Sequence, residues 1–199
     1  MADIPVDLYF VLDSSMSMNS STTLLAGASE DITDKIQNLT KDYRLGFGSF
    51  IEKPRIPFTK GEISKAYAFH HIMSLTQNST EFGEKVLKLT KNLHENIDIP
   101  EAGLDAIAQA MLCPEIIGWE EDRKKIIIVM TDAEMHFAFD GILGGITDKF
   151  PMEECLLDNG RYDSKQNDYD YPSFGQVIST IVYMIRYMTF QHGVVLNLL

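Results

Sequence analysis

The chain has 199 residues, a formal net charge of −12 and 45% hydrophobic residues. That length and balance suit one globular domain with a substantial buried core. So acidic a chain argues against a nucleic-acid partner, which needs a basic footprint, and is compatible with metal cations or basic partners. No run of five like charges occurs, so no charged tail is expected, and residues 1–12 lack the basic-then-apolar pattern of a signal peptide.

The first element is the apolar run DLYFVLD, residues 7–13, which stops abruptly at Asp13 and the hydroxyl-rich SSMSMNSS. Residues 23–40 place Leu25, Ile32, Ile36 and Leu39 near one helical face. A second strand, YRLGFGSF, is expected at 43–50, and FHHIMSL at 69–75 reads as another. A helix follows over 79–93, with Ser79 or Thr80 as its N-cap. The polar stretch NIDIPE leads into the helical spacing of 102–112, and KIIIVMT at 125–131 forms the next strand. The longest irregular segment is expected at 158–172, then a helix over 173–190 and a strand at 193–199.

The strand runs lack strict alternation, which suits strands covered on both faces. Strand–helix alternation implies an α/β fold: a Rossmann-like open, mostly parallel sheet with helices on both faces. The apolar stretch 177–199 has the length of a membrane span, but Arg186 and Gln191-His192-Gly193 interrupt it. A buried helix followed by a buried strand is the better reading. Two cysteines, Cys113 and Cys155, are too few for a disulfide scaffold; one bridge or two buried thiols are both open. Three sequons, at Asn19, Asn38 and Asn78, are glycosylation candidates that weakly favour secretion.

Ligands of open α/β sheets bind beyond the carboxyl ends of the strands. The first strand delivers Asp13, Ser15 and Ser17 there, and the strand at 125–131 delivers Asp132. The loop before the 102–112 helix delivers Asn96, Asp98 and Glu101. Alternating D-x-S-x-S spacing lets Asp13, Ser15 and Ser17 face one point. Carboxylate and hydroxyl oxygens suit a hard cation such as Mg²⁺. Because serine ligands are neutral, such an ion stays electrophilic enough to accept an outside carboxylate. Taken singly, each residue has a plainer reading: Ser15 and Ser17 as caps of the next helix, Asp132 as another N-cap.

An enzyme on a similar sheet, a metal-dependent hydrolase or phosphoryl-transfer protein, would need a nucleophile, a base and a phosphate cradle. No phosphate-binding G-x-x-x-x-G-K-[ST] motif and no G-x-S-x-G elbow around Ser15 is present. His70, His71, His94, His136 and His192 lack zinc-ligand spacing, and His70-His71 reads as a strand pair.

Five segments together resemble the I-like domain of integrin β subunits, a von Willebrand factor A-type fold. They are VDLYFVLDSSMSM (6–18), RLGFGSFIEKP (44–54), NIDIPEAGLDAI (96–107), residues 117–146 beginning IGWEEDRKK, and DYPSFGQV (170–177). The resemblance runs in the family's order and covers nearly the whole chain, as a single domain over 1–199. It implies divalent-cation-dependent adhesion by an extracellular receptor domain at the plasma membrane, paired with an integrin α subunit. The ligand would be a matrix or cell-surface protein offering an acidic side chain. A non-integrin A-type ligand-binding domain is the alternative.

The resemblance also implies a metal-ion-dependent adhesion site of Asp13, Ser15, Ser17, Glu101 and Asp132 for Mg²⁺ or Mn²⁺. A neighbouring Ca²⁺ site matches Asn96, Asp98, the Pro100 carbonyl and Glu101, with Glu52 where the family usually has Asp. Ser20 and Ser21 replace the acidic pair of a third, regulatory cation site, so that site is expected to be lost. The segment 55–68 is short and lacks the family's cysteine pair. The family domain continues past VVLNLL, so the last strand and helix are expected to be missing, as in a fragment, isoform or incomplete gene model. The resemblance pairs Cys113 with Cys155, a bridge that would contribute about 4 kcal/mol by chain entropy and imply an oxidising compartment.

Overall fold

A computed structural model describes residues 4–55, 65–95, 97, 99–139, 154–163, 171–188 and 195–198. Six strands form one sheet: β1 (Val6–Asp13), β2 (Tyr43–Phe50), β3 (Phe69–Thr76), β4 (Lys124–Met130), β5 (Arg161–Tyr162) and β6 (Val195–Leu198), in the order β5-β3-β2-β1-β4-β6. β1 is central. It pairs in parallel with β2, Asp13 opposite Phe50, and with β4, Leu12 opposite Met130. β6 adds in parallel to β4, whereas β3 runs antiparallel to β2, and β5 antiparallel to β3. The three central strands therefore end on one edge, and the sheet is open and mostly parallel as expected.

The helices are α1 (Asn19–Leu39), α2 (Ser79–Leu89), α3 (Gly103–Leu112), the short α4 (Pro114–Ile117) and α5 (Phe174–Met188). Alternate residues of β1 enter opposite cores, as the period of a strand requires. Tyr9 and Val11 join Ile107, Ala110, Tyr171 and Val177 in the layer of α3 and α5. Leu8, Phe10 and Leu12 join Leu25, Phe82 and Val86 in the layer of α1 and α2. The expectation that strands are covered on both faces holds for β1 and β2. It fails for β4, where Ile127 and Val129 are buried but Ile126, Ile128 and Met130 only partly so. An apolar groove of about 510 Å³ lies there, between α1 and the β1–β4 surface. No described helix is long and apolar enough to cross a membrane.

Several boundaries differ from the sequence expectation for local reasons. α1 starts four residues early, behind a 3-10 turn over Met16–Met18. Its threonines turn back on the helix, Thr22 Oγ1 donating to the Met18 carbonyl at 2.9 Å and Thr23 Oγ1 to the Asn19 carbonyl at 2.7 Å. α2 is capped by Asn78, not by Ser79 or Thr80: Asn78 Oδ1 accepts from the Glu81 N–H at 3.1 Å. α2 ends at Leu89 rather than at 93, and α4, closed by Gly118 at φ +89°, was not anticipated. β5 lies within the expected irregular segment 158–172. His70 and His71 do sit on β3.

Cys113 and Cys155 form a disulfide across 42 positions, which excludes the two-thiol reading. The buried Gln109 amide backs it, accepting from the Leu156 N–H at 2.7 Å and donating to the Glu154 carbonyl at 3.3 Å.

The amino end of β1 carries its own buried acid. Asp7 is fully buried and held by two guanidiniums: Arg44 donates Nε to Oδ1 at 2.8 Å and NH2 to Oδ2 at 2.7 Å, and Arg123 Nε reaches Oδ1 at 2.6 Å. At Gly48 of β2 the antiparallel partner crowds in. A Cβ there would lie 2.5 Å from Phe69 Cε2 and 2.7 Å from the His70 carbonyl. Gly48→Ala should therefore destabilise the domain by about 1–3 kcal/mol, as overpacking does; urea denaturation with an unchanged midpoint would contradict that close approach.

Candidate metal centre

β1 ends in Asp13 because its next residue turns away: the Ser14 N–H still bonds to the Phe50 carbonyl at 2.9 Å, after which the chain enters the Met16–Met18 turn. Ser14 Oγ points inward, donating to the Phe50 carbonyl at 3.0 Å and lying 3.0 Å from the Tyr67 hydroxyl. Ser15 and Ser17 point the other way. Asp13 Oδ1 accepts from the Ser15 N–H at 2.8 Å, Ser15 Oγ lies 2.9 Å from Ser17 Oγ, and Ser17 Oγ donates to Asp132 Oδ1 at 2.9 Å. Thr131, just past β4, donates to Asp13 Oδ2 at 2.7 Å. The alternating spacing thus gathers Asp13, Ser15 and Ser17, and the neighbouring strand adds Thr131 and Asp132. Thr131 was not anticipated; its place directly before Asp132 was the available signal.

The plainer capping readings do not hold. Neither Ser15 nor Met18, the residues preceding the turn and α1, makes a side-chain capping bond. Residues 133–139, after Asp132, are not helical.

Burial pushes the Asp13 carboxyl above the usual carboxylate range; repulsion from Asp132 adds to this, while the bonds from Ser15 and Thr131 oppose it. The contrast with Asp7 on the same strand is chemical. Both acids are fully buried, but Asp7 faces two arginines, and the described partners of Asp13 are an amide and a hydroxyl. Two carboxylates and two hydroxyls within one hydrogen-bonded chain fit a hard divalent ion in donor type, and such an ion would remove the repulsion. Among the described residues no three His, Cys, Asp or Glu side chains gather for a metal; this set relies on serines instead.

Glu101 lies on the same edge and is buried. Its N–H donates to the Glu134 carbonyl at 2.9 Å, its carbonyl accepts from the His136 N–H at 2.9 Å, and the next N–H, of Ala102, donates to the Ile51 carbonyl at 2.8 Å. The Pro100–Glu101 loop is thereby clamped between the end of β2 and the segment after β4. No described hydrogen bond links it directly to Asp13. Asn96 and Asp98 lie outside the described residues.

Glu52 is turned inward. Its Oε1 accepts from the Lys53 N–H at 2.5 Å and from the Tyr171 hydroxyl, and Oε2 stands 3.4 Å from His136 Nε2. Lys53 Nζ lies 3.5 Å from Asp105 Oδ1 and 4.3 Å over the Tyr171 ring. All five side chains are buried. Burial pushes the Asp105 carboxyl up to about 6, against the pull of Lys53 and His136. Glu52 thus belongs to a buried polar cluster behind the carboxyl edge of the sheet. Ser20 and Ser21 occupy the first turn of α1 and bring no carboxylate. Of the sequons, Asn19 begins α1, Asn38 lies near its end, and Asn78 caps α2; all three are exposed.

The histidines form no hydrolytic constellation among the described residues. His71 bonds through Nδ1 to the Tyr9 hydroxyl at 2.7 Å and through Nε2 to Ser74 Oγ at 2.9 Å, and burial lowers it to about 4. His94 serves through its backbone, its N–H donating to the Ser14 carbonyl at 3.1 Å and its carbonyl accepting from the Met16 N–H at 2.9 Å.

A mostly parallel sheet with helices on both faces and an oxygen-donor loop at the end of its central strand defines a von Willebrand factor A-type domain. The chain belongs to the integrin β family: the profile of the integrin beta chain VWA domain matches residues 1–190. It is 39% identical to integrin beta pat-3 of Caenorhabditis elegans over 183 residues, 86% of this chain and 22% of that protein. It is 36% identical to human integrin beta-6 over 195 residues, 90% of this chain and 24% of that one. It therefore spans about a quarter of the length of these relatives. The pilus adhesin SpaC of Lactobacillus rhamnosus GG shares the fold, with 15% identity, a TM-score of 0.51, and coverage of 98% of this chain and 25% of that one.

Proposed function

We propose that this chain is the cation-dependent ligand-binding domain of an integrin β-type adhesion receptor and not an enzyme. The observation that carries the reading is the Asp13–Ser15–Ser17–Asp132 chain at the end of β1, an acidic, oxygen-only set with no described basic side chain bonded to it. These residues, with Glu101, would hold Mg²⁺ or Mn²⁺, and the neutral hydroxyls leave the ion free to accept a carboxylate from a matrix or cell-surface protein. Asn96, Asp98, the Pro100 carbonyl, Glu101 and Glu52 form the proposed neighbouring Ca²⁺ site. For Glu52 to serve there, its carboxylate must exchange Tyr171 and His136 for the ion. The third, regulatory site is lost at Ser20 and Ser21. Family membership supports pairing with an α subunit and an extracellular place at the plasma membrane.

Titration calorimetry with Mn²⁺ tests the adhesion site. Asp132 is exposed and bonded only through Ser17 among the described contacts, so Asp132→Ala should leave the fold intact and weaken Mn²⁺ uptake at least tenfold. Equal uptake by the variant and the parent chain would overturn the ligand set.

A further inference from the structure

Beside the metal edge lies a second concavity, about 550 Å³, between β3, α2, β5 and the loop after α2. Lys65, Lys85, Lys88, Arg161, His70 and His94 line it, and among the described residues no Asp or Glu does. That is unusual in a chain of net charge −12. The cause on α2 is its periodicity: Phe82, Val86 and Leu89 are buried in the core, which leaves Lys85 and Lys88 on a neighbouring face. Two carboxylates approach from outside the lining. Glu81 pairs with Lys85 at 2.9 Å and Asp163 with Arg161 at 3.0 Å. Among the described residues, Lys85, Lys88 and Arg161 against these two carboxylates leave an excess of positive charge on this wall. Burial and the neighbouring Arg161 lower the His70 imidazole, with Asp163 opposing.

The concavity adjoins the metal edge through two links. The Tyr67 ring lines it, while the Tyr67 hydroxyl bonds to Ser14 at 3.0 Å and Ser49 at 2.7 Å. His94 lines it as well, and its backbone is bonded to Ser14 and Met16. Through His94 the positive wall adjoins the turn that follows β1. Arg161, with its guanidinium over the Tyr67 ring at 5.2 Å and bonded to the Ala66 carbonyl at 2.9 Å, is a fixed charge there. The volume lies within the range of about 300–1,000 Å³ usual for ligand sites.

We infer that this concavity is a second acidic subsite: a peptide that gives one carboxylate to the metal edge carries a further acidic residue, held by Lys85, Lys88 and Arg161. The first contact rests on the cation-dependent reading; the second does not need the metal. A peptide is favoured over a sulfated glycan because the concavity continues an edge built for a carboxylate.

Fluorescence anisotropy on the full chain tests it with three probes. In EDTA, a labelled triglutamate peptide should bind, and added NaCl should weaken it. Lys85→Glu/Lys88→Glu should lose at least tenfold, while Lys91→Glu, exposed beyond the helix end and outside the lining, should lose little. Circular dichroism of each variant checks that it is folded. Equal binding by the double variant, or no binding by the parent chain at millimolar peptide, overturns the subsite. A heparin hexasaccharide bound more than tenfold tighter than triglutamate overturns the peptide assignment. In Mg²⁺, a peptide joining one Asp to the triglutamate through glycines should bind tighter than triglutamate alone, by linkage of the two contacts. If Mg²⁺ gives no gain while EDTA binding persists, the metal reading fails and the subsite stands.

Discussion

Asp7→Ala should destabilise the domain by about 3–5 kcal/mol, the cost of leaving buried partner charges unpaired. Asp7 sits at the start of the central strand with no solvent contact, and both of its oxygens are taken by Arg44 and Arg123. Those arginines are themselves mostly buried and tie down the edges: Arg44 also reaches Glu120, and Arg123 also reaches Asp42 at 2.7 Å. Removing the carboxylate leaves two guanidiniums facing each other over a cavity. Glu120 is exposed and Asp42 half exposed, so neither can neutralise the pair where it is buried. Urea denaturation of Asp7→Ala beside Asp42→Ala separates the buried from the exposed partner. A loss for Asp7→Ala no larger than the fraction of a kcal/mol common for exposed pairs would refute this account.

The sheet was legible because β1 and β2 are mostly apolar and are buried along nearly their whole length. β4 misled for the same reason. Its run KIIIVMT reads as covered on both faces, yet Ile126, Ile128 and Met130 are only partly buried. Hydrophobicity records what a face can bury, not what lies against it. Short elements escaped because they depend on contacts distant in sequence. β5 is two residues that pair with Phe69 and His70, and nothing in Arg161-Tyr162 alone specifies a strand. The cap of α2 was misplaced by one or two residues because Asn78, Ser79 and Thr80 are all capping types, and the bond to Glu81 decides among them.

At the carboxyl edge of the sheet, period and position sufficed to bring Asp13, Ser15, Ser17 and Asp132 together, since strand ends and alternating spacing are local. Glu52 was less legible. Its sequence position follows β2 directly, but its side chain direction is set by Tyr171 and His136, over eighty residues away. The basic concavity was invisible for a similar reason: Lys65, Lys88 and Arg161 belong to three separate segments, brought together by the antiparallel pairing of β5 with β3 and the packing of α2 beside β3.

Asp13→Asn should abolish the response to Mg²⁺ while leaving the metal-free domain at least as stable at pH 7. Burial and Asp132 raise the Asp13 carboxyl above its usual range. A carboxyl whose folded value exceeds its unfolded value costs stability when ionised, and that cost falls as pH drops through the folded value. Asparagine is neutral and of the same shape, can still accept from the Ser15 N–H, and removes the cost at every pH. In metal-free buffer, the advantage of Asp13→Asn over the parent should therefore be largest near neutrality and shrink on acidification. With Mg²⁺ the order reverses. A ligand held only by the folded state adds about 2.7 kcal/mol at one hundred times its dissociation constant, and the parent chain alone should gain it. Thermal melts of both proteins with EDTA and with Mg²⁺, from pH 5 to pH 8, give all four comparisons. Equal Mg²⁺ stabilisation of the two would remove Asp13 from the site; a metal-free Asp13→Asn far less stable than the parent would instead make Asp13 a structural acid like Asp7.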